Sequence, residues 1–258
     1  MLNQITPLLL TFNEEANIAR TLDRLRWARE VVVIDSGSTD RTLELIAQFS
    51  NARVLSRDFD SHAQQWNFGL QESGIKTAWV LALDADYVLT DEFINALREL
   101  TPVDDVGGYK ANFRYCIHGK KLRGSLYPAV TVLYRFDGAH YLQDGHTQRI
   151  VHANKNAMLS GYILHDDRKL PERWLAAQVR YARLELVHLM QMPFFDLSWP
   201  DRLRRLYVVM PVLAMMYCLF VKGGILDGRA GLVYAMQRSI AEAVLSLVML
   251  ENLLEIRN

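Results

Sequence analysis

Up to about Gly107, apolar positions follow two alternating rhythms. Ile5 to Thr11 is a continuous apolar run closed by Asn13-Glu14-Glu15, and Val31-Val32-Val33-Ile34 is a β-branched run that stops at Asp35. Further strands are expected near Arg53 to Ser56 and over Thr77 to Leu83. Between these runs, residues such as Ile18, Leu22 and Leu25, or Leu43 and Ile46, recur at helical spacing. They predict helices over about 14–27, 39–49, 62–72 and 91–100. Continuous apolar strands interleaved with amphipathic helices indicate a mostly parallel α/β sheet covered on both faces. Ligands of such sheets bind at the carboxyl ends of the strands.

Beyond Gly107 the texture changes. Tyr109 to Ile117 and Val130 to Phe136 read as strands of an antiparallel extension, joined by a loop with Lys120, Lys121, Arg123 and Gly124. From Pro171 the chain reads as helical, proline suiting a first helical turn. The expected division is a catalytic domain over 1–165 and a helical C-terminal extension over 166–258.

Composition narrows the class. With 258 residues, half of them apolar, the chain can bury a substantial core. Its formal net charge is zero, so nothing global favours nucleic-acid binding. Two distant cysteines, Cys116 and Cys218, suggest neither a disulfide framework nor a zinc site and fit a reducing, cytoplasmic compartment. The N-terminal apolar run lacks a basic flank and is too short for a signal peptide, so a buried strand is expected there.

The chemistry concentrates at strand ends. Trp79-Val80-Leu81-Ala82-Leu83-Asp84-Ala85-Asp86 places two carboxylates at the end of an apolar strand. Residues two apart in extended chain project to one side, so Asp84 and Asp86 can face one ligand. Neighbouring carboxylates repel unless a cation joins them. Oxygen ligands select Mg²⁺ or Mn²⁺, which also bind phosphate oxygens. The alternative is a solvated turn with two surface acids. Asp35-Ser36-Gly37-Ser38-Thr39-Asp40 likewise follows a strand and opens a helix. Asp35 there can accept bonds from a base or ribose, or the segment can be a capping loop without a ligand. Neither strand end carries the glycine pattern of a dinucleotide site or a phosphate-binding lysine loop. In Leu164-His165-Asp166-Asp167-Arg168-Lys169, His165 can be a third metal ligand, touch a diphosphate, or be a structural hydrogen-bonded side chain. Arg168 or Lys169 can neutralise leaving-group charge.

Four segments in order resemble glycosyltransferase family 2. They are Leu9-Leu10-Thr11-Phe12-Asn13-Glu14-Glu15, Val33 through Asp40, Gln65-Trp66-Asn67-Phe68-Gly69-Leu70, and Asp84-Ala85-Asp86. Leu126-Tyr127-Pro128, Leu133-Tyr134-Arg135-Phe136, Leu164-His165 and Ile225 through Leu232 resemble the branch of lipopolysaccharide-core β-glucosyltransferases. One departure is that His146 is followed by Thr147 where that branch often has glutamate. The resemblance implies a GT-A fold, a Rossmann-like sheet with an inverting mechanism and a nucleotide-sugar donor, in the first place a UDP-sugar. It implies that Thr11, Asn13, Glu15 and Asp35 surround the nucleobase, that Asn67 lies on the helix lining the nucleotide, that Asp84 faces the ribose and that Asp86 holds the metal. Inverting transfer needs a base to take the acceptor proton. In Tyr141-Leu142-Gln143-Asp144-Gly145-His146, Asp144 is the candidate and His146 the second, or an acceptor contact, though Gln-Asp-Gly also suits an ordinary turn.

Leu206 to Val221 is an uncharged apolar run preceded by Arg202, Arg204 and Arg205 and followed by Lys222. A spanning helix needs ~20 residues, and Pro211 interrupts this one. The run therefore predicts an interfacial or re-entrant helix at an anionic lipid surface, or else a buried one. The expected enzyme moves a hexose onto a lipid-linked or cell-envelope glycan, peripherally bound at the cytoplasmic face of a bacterial membrane. Two rivals remain. A sugar nucleotidyltransferase would need a glycine-rich basic loop where Thr11 to Glu15 stands. A non-catalytic membrane-bound subunit would keep the fold without turnover.

Overall fold

The computed structural model describes residues 1–144 and 147–256. They form two compact units, Met1–Cys116 with Tyr127–Arg168, and Ile117–Leu126 with Lys169–Asn258.

The first unit opens with the expected alternation: β1 (Ile5–Thr11), α1 (Ile18–Asp23), β2 (Val31–Asp35), α2 (Thr42–Ile46), β3 (Ala52–Ser56), α3 (His62–Glu72) and β4 (Trp79–Asp84). It continues through β5 (Tyr87–Leu89), α4 (Asp91–Glu99) and β6 (Val106–Ile117), and after the two-residue β7 (Lys120–Lys121) with β8 (Val130–Arg135), β9 (His140–Asp144), β10 (Thr147–Val151) and β11 (Lys155–His165). The sheet runs in the order β3-β2-β1-β4-β8-β6-β11-β5. Its first four strands are parallel, and β8 is antiparallel to both β4 and β6. This is the mostly parallel GT-A sheet that the resemblance implies.

Strand geometry sends alternate residues to opposite faces, and both faces are covered. Leu9, Val33, Leu81 and Leu83 pack with Ile18, Leu22 and Phe93 on one side. Leu8, Val32, Ile34, Val80 and Ala82 pack with Trp66, Leu70, Tyr134 and Tyr141 on the other. That two-sided burial is why Val31 to Ile34 reads as an unbroken apolar run. Each such side chain contributes about 1.5–3 kcal/mol through burial.

Two helices are shorter than their periodicity predicts. Ile18, Leu22 and Leu25 are buried as expected, but the α-helical segment stops at Asp23. Leu25 and Ala28 bond three residues back, in tighter turns. In α2 the start is displaced because the Thr39 amide donates to the Asn13 side chain and the Thr42 hydroxyl to Asp40. Gly161 lies in the left-handed region, and a Cβ there would stand 2.8 Å from the Phe93 backbone nitrogen, so β11 can approach α4 only with glycine at this point.

The second unit contains α5 (Pro171–Gln191), α6 (Trp199–Arg204), α7 (Val209–Met216) and α8 (Arg229–Ile256). Pro171 occupies the first turn of α5, as expected. Ala182, Leu189, Leu245 and Met249 form a small core. Arg204 binds Glu185, Asp201 and Glu242, which hold its guanidinium charged despite burial. The segment Lys120 to Leu126 belongs here. The buried Asp227 carboxylate accepts the Arg123 amide at 2.9 Å, and Tyr234 accepts the Leu126 amide at 2.7 Å. The expected apolar helix over 206–221 is divided. Tyr207 has a positive φ of 59°, and α7 passes into a wider turn at Tyr217–Val221. Among the described residues, the helix long and apolar enough to cross a membrane is instead α8, over Arg229–Leu254.

Candidate active site

Register aligns the candidate residues. Thr11 pairs with Asp35 across β1 and β2, and Leu10 pairs with Asp84 across β1 and β4. Parallel strands of matched length thus bring Thr11, Asp35 and Asp84 to the carboxyl edge, with Asp84 one register position earlier and so on the opposite face of the sheet from Thr11 and Asp35.

Asp35 is buried and largely engaged by its own loop. One oxygen accepts the Gly37 and Ser38 amides at 3.0 and 2.9 Å, and the other accepts the Ser38 hydroxyl at 2.5 Å. The capping-loop alternative therefore describes most of its hydrogen bonding, with a single acceptor direction left from a carboxylate's four. Gly37, at φ 83°, allows the turn. Asn13 ties this loop to β1, its amide donating to Ser38 Oγ at 2.8 Å and its side-chain oxygen accepting from the Thr39 amide. Glu15 caps the start of α2 by accepting the Arg41 amide at 3.2 Å. Asn13 and Glu15 thus shape the loop. Thr11 differs from them: its hydroxyl is buried and has no hydrogen-bond partner among the described residues.

The Asp84-Ala85-Asp86 turn is fixed from below. The Thr21 hydroxyl donates to the Ala85 carbonyl at 2.7 Å, and the Asp166 amide to the Asp86 carbonyl at 3.1 Å. Asp86 is 8% exposed, which disposes of the solvated-turn alternative. Burial and the neighbouring Asp86 charge push the Asp84 carboxyl above its ordinary range. β11 delivers His165 beside Tyr87, and its Nε2 lies 3.1 Å from Asp86 Oδ2. Burial lowers the His165 imidazolium, but the Asp86 charge and hydrogen bond outweigh it, with a net rise. Its Nδ1 is buried without a hydrogen-bond partner among the described residues.

Several contributors were not visible in the sequence. Tyr115 and Tyr127 each stand 4.8 Å from the His165 ring, and Tyr87 stands 5.3 Å from it. Tyr87 and Tyr127 share a hydroxyl hydrogen bond. Burial and the Asp84 charge raise both phenols, which stay protonated as donors. Arg20 donates to the Asp166 carboxylate at 2.7 Å, and Arg168 to the same oxygen at 2.8 Å. Arg168 is therefore partly engaged by the protein itself.

Asn67 grips a strand. Its side-chain nitrogen donates to the Tyr141 carbonyl at 2.9 Å, and its oxygen accepts the Tyr141 amide at 2.7 Å. This clasp anchors β9, which ends at Asp144 and pairs with β10. The Asp144 side chain and all of His146 lie outside the described residues. Asn67→Ala should destabilise the protein by about 1–3 kcal/mol, because two backbone groups lose their partners. A denaturation midpoint unchanged from wild type would refute the clasp.

Asp84, Asp86 and His165 do not make a three-ligand protein cage, and no such cluster occurs among the described residues. A divalent ion arriving with a diphosphate does not need one, since Mg²⁺ sites commonly use one or two carboxylates plus phosphate oxygens. Two crowded carboxylates beside a buried imidazole fit that donor set.

The family model described as glycosyl transferase family 2 matches residues 8–159, leaving His165 beyond the matched segment. The lipopolysaccharide core biosynthesis glycosyltransferase LpsC of Rhizobium meliloti is 30% identical over 102 residues, covering 38% of this chain and 36% of that protein. An uncharacterised glycosyltransferase of Rickettsia bellii is 36% identical over 90 residues, covering 34% and 30%. These matches span only about a third of either relative's length. The crystal structure of residues 1–349 of S. aureus TarS with UDP aligns over 96% of this chain and 92% of that one, at 14% identity and a TM-score of 0.48.

Proposed function

Because the chain belongs to glycosyl transferase family 2, we propose that it moves a hexose from a nucleoside-diphosphate sugar, in the first place a UDP-sugar, onto a lipid-linked or cell-envelope glycan. The observation that carries this reading is the gathering of Thr11, Asp35 and Asp84 at the carboxyl ends of three neighbouring parallel strands, with the buried Asp86 immediately beyond. Thr11 and Asp35 hold the nucleoside, within a loop shaped by Asn13 and Glu15, and Asp84 accepts from the ribose. Asn67 fixes the strand behind the pocket.

Asp86 and His165 are the residues that would hold Mg²⁺ or Mn²⁺. The ion supplies charge neutralisation for the departing diphosphate. Asp144 takes the proton of the acceptor hydroxyl. The acceptor oxygen then bonds to the anomeric carbon as the bond to the diphosphate breaks, inverting the centre. His146 is the second candidate base, or an acceptor contact. The relation to LpsC supports a cell-envelope acceptor.

The test is nucleoside diphosphate release by purified protein from UDP-, GDP- and dTDP-sugars with Mn²⁺ or Mg²⁺. Metal-dependent release from one donor supports the reading. Pyrophosphate release would instead favour a sugar nucleotidyltransferase. Silence across the panel, repeated with a membrane lipid extract as acceptor, would favour a non-catalytic subunit.

A cytoplasmic-face membrane attachment through the second unit belongs to the same proposal. The apolar window of α8 is only 28% buried, unlike a soluble core helix. Val208, Val212, Phe220, Val221 and Leu226 are exposed near Arg202, Lys222 and Arg229. Interfacial apolar surface flanked by cations suits anionic lipid. The protein should co-sediment with phosphatidylglycerol vesicles and less with phosphatidylcholine vesicles. Equal absence from both pellets would remove this part of the proposal.

A further inference from the structure

A cleft of about 260 Å³ opens on the far side of Asp84 from β1 and β2. Trp66, Asp84, Tyr141, Lys110, Gln148 and Arg149 are among its lining residues. Trp66 and Tyr141 stack on each other at 5.4 Å with their planes 19° apart and are both buried beneath the cleft. The Trp66 indole nitrogen is buried without a hydrogen-bond partner among the described residues. Lys110 is half-buried on β6, and Arg149 is exposed on β10. No ion pair engages either cation among the described residues. Asp84 is the only acidic group among the described lining residues, so the two cations exceed it in charge.

Lysine is seldom withdrawn from water without a partner. A half-buried, unpaired Lys110 in the same cleft as an unpaired Arg149 is the signature of a site whose counter-charge comes with a ligand. The sheet order says which ligand. The nucleoside residues Thr11 and Asp35 lie on β1 and β2, on one side of β4, whereas β8 and β6 lie on the other. With the donor across Asp84 from them, the cations face the second substrate. Resting on the glycosyltransferase reading above, we infer that this cleft is the acceptor subsite and selects an acceptor bearing a phosphate or carboxylate group, held by Lys110 and Arg149.

The experiment is isothermal titration of the full-length protein, saturated with UDP and Mn²⁺, with glucose, glucose 6-phosphate and glucuronate as probes. Glucose 6-phosphate and glucuronate should bind at least tenfold more tightly than glucose, the two anions separating a phosphate preference from a carboxylate one. That advantage should vanish in Lys110→Gln/Arg149→Gln, whose folding is checked by its melting temperature. It should survive in Lys110→Arg, which keeps the charge. Equal binding of all three probes by wild type, or binding of none, would overturn the proposal and leave Lys110 as a side chain lying along apolar surface. Anion binding seen only without UDP would also overturn it, assigning the cations to the donor diphosphate. Donor hydrolysis by wild type is measured in parallel. If it is absent, with and without a membrane lipid extract as acceptor, the glycosyltransferase reading fails. If it is present without anion selectivity, only the acceptor proposal fails.

Discussion

Asp86→Ala should cut donor turnover by roughly 10²–10⁴-fold, because a bound divalent ion supplies several kcal/mol of charge stabilisation to a leaving diphosphate and each ~1.4 kcal/mol is a factor of ten. The structure makes this carboxylate hard to replace. It is buried at the end of β4, and the turn carrying it is held by Thr21 through the Ala85 carbonyl and by the Asp166 amide. No described neighbouring acid completes a cage that could retain the ion without it. The loss should therefore be accompanied by weaker, metal-insensitive UDP binding, measured by titrating Mn²⁺ against UDP affinity. His165 loses its acidic partner in the same variant, so the melting temperature is recorded to separate loss of binding from loss of fold. A folded Asp86→Ala protein that kept more than a tenth of wild-type turnover would remove the metal from the proposed mechanism.

The second large effect concerns the base. Asp144→Asn should lower the rate of transfer to acceptor by about 10²–10⁴-fold, the usual contribution of a positioned general base. Donor KM should stay within about twofold, since the proposed nucleoside residues on β1, β2 and β4 are untouched. This split between a lost kcat and a retained donor affinity is what a purely structural role would not produce. His146→Ala provides the contrast. If that variant loses transfer while Asp144→Asn retains it, the histidine is the base and the carboxylate is not.

Much of the site was readable in order along the chain, for a local reason. A strand buried on both faces must be apolar throughout, so Ile5 to Thr11, Val31 to Ile34 and Trp79 to Leu83 stand out from their polar ends. The polar residues at those ends are then the ones that can reach a ligand. Asp35 and Asp84 are found this way without any knowledge of pairing. Helix lengths were less readable. The apolar spacing of Ile18, Leu22 and Leu25 survives in tight turns as well as in a longer helix, so burial was predictable and hydrogen-bond type was not. The sequence marks the second half as helical but does not single out α8 as its long apolar helix; Glu242, a polar break in that run, is engaged by Arg204.

By itself, then, the sequence determined the strand runs, the carboxylate pair at the end of β4 and the helical character of the second half, since each depends on neighbours within a few residues. Only the tertiary structure decided what those residues meet. His165 reaches Asp86 from 79 positions away, and Asn67 grips Tyr141 from 74. Tyr87 and Tyr127 close around the same imidazole, and Lys110 and Arg149 come to line one cleft. These meetings are fixed by sheet order and strand register. A single-residue slip in register would turn each side chain to the opposite face, and no local pattern of residues records which strand lies beside which.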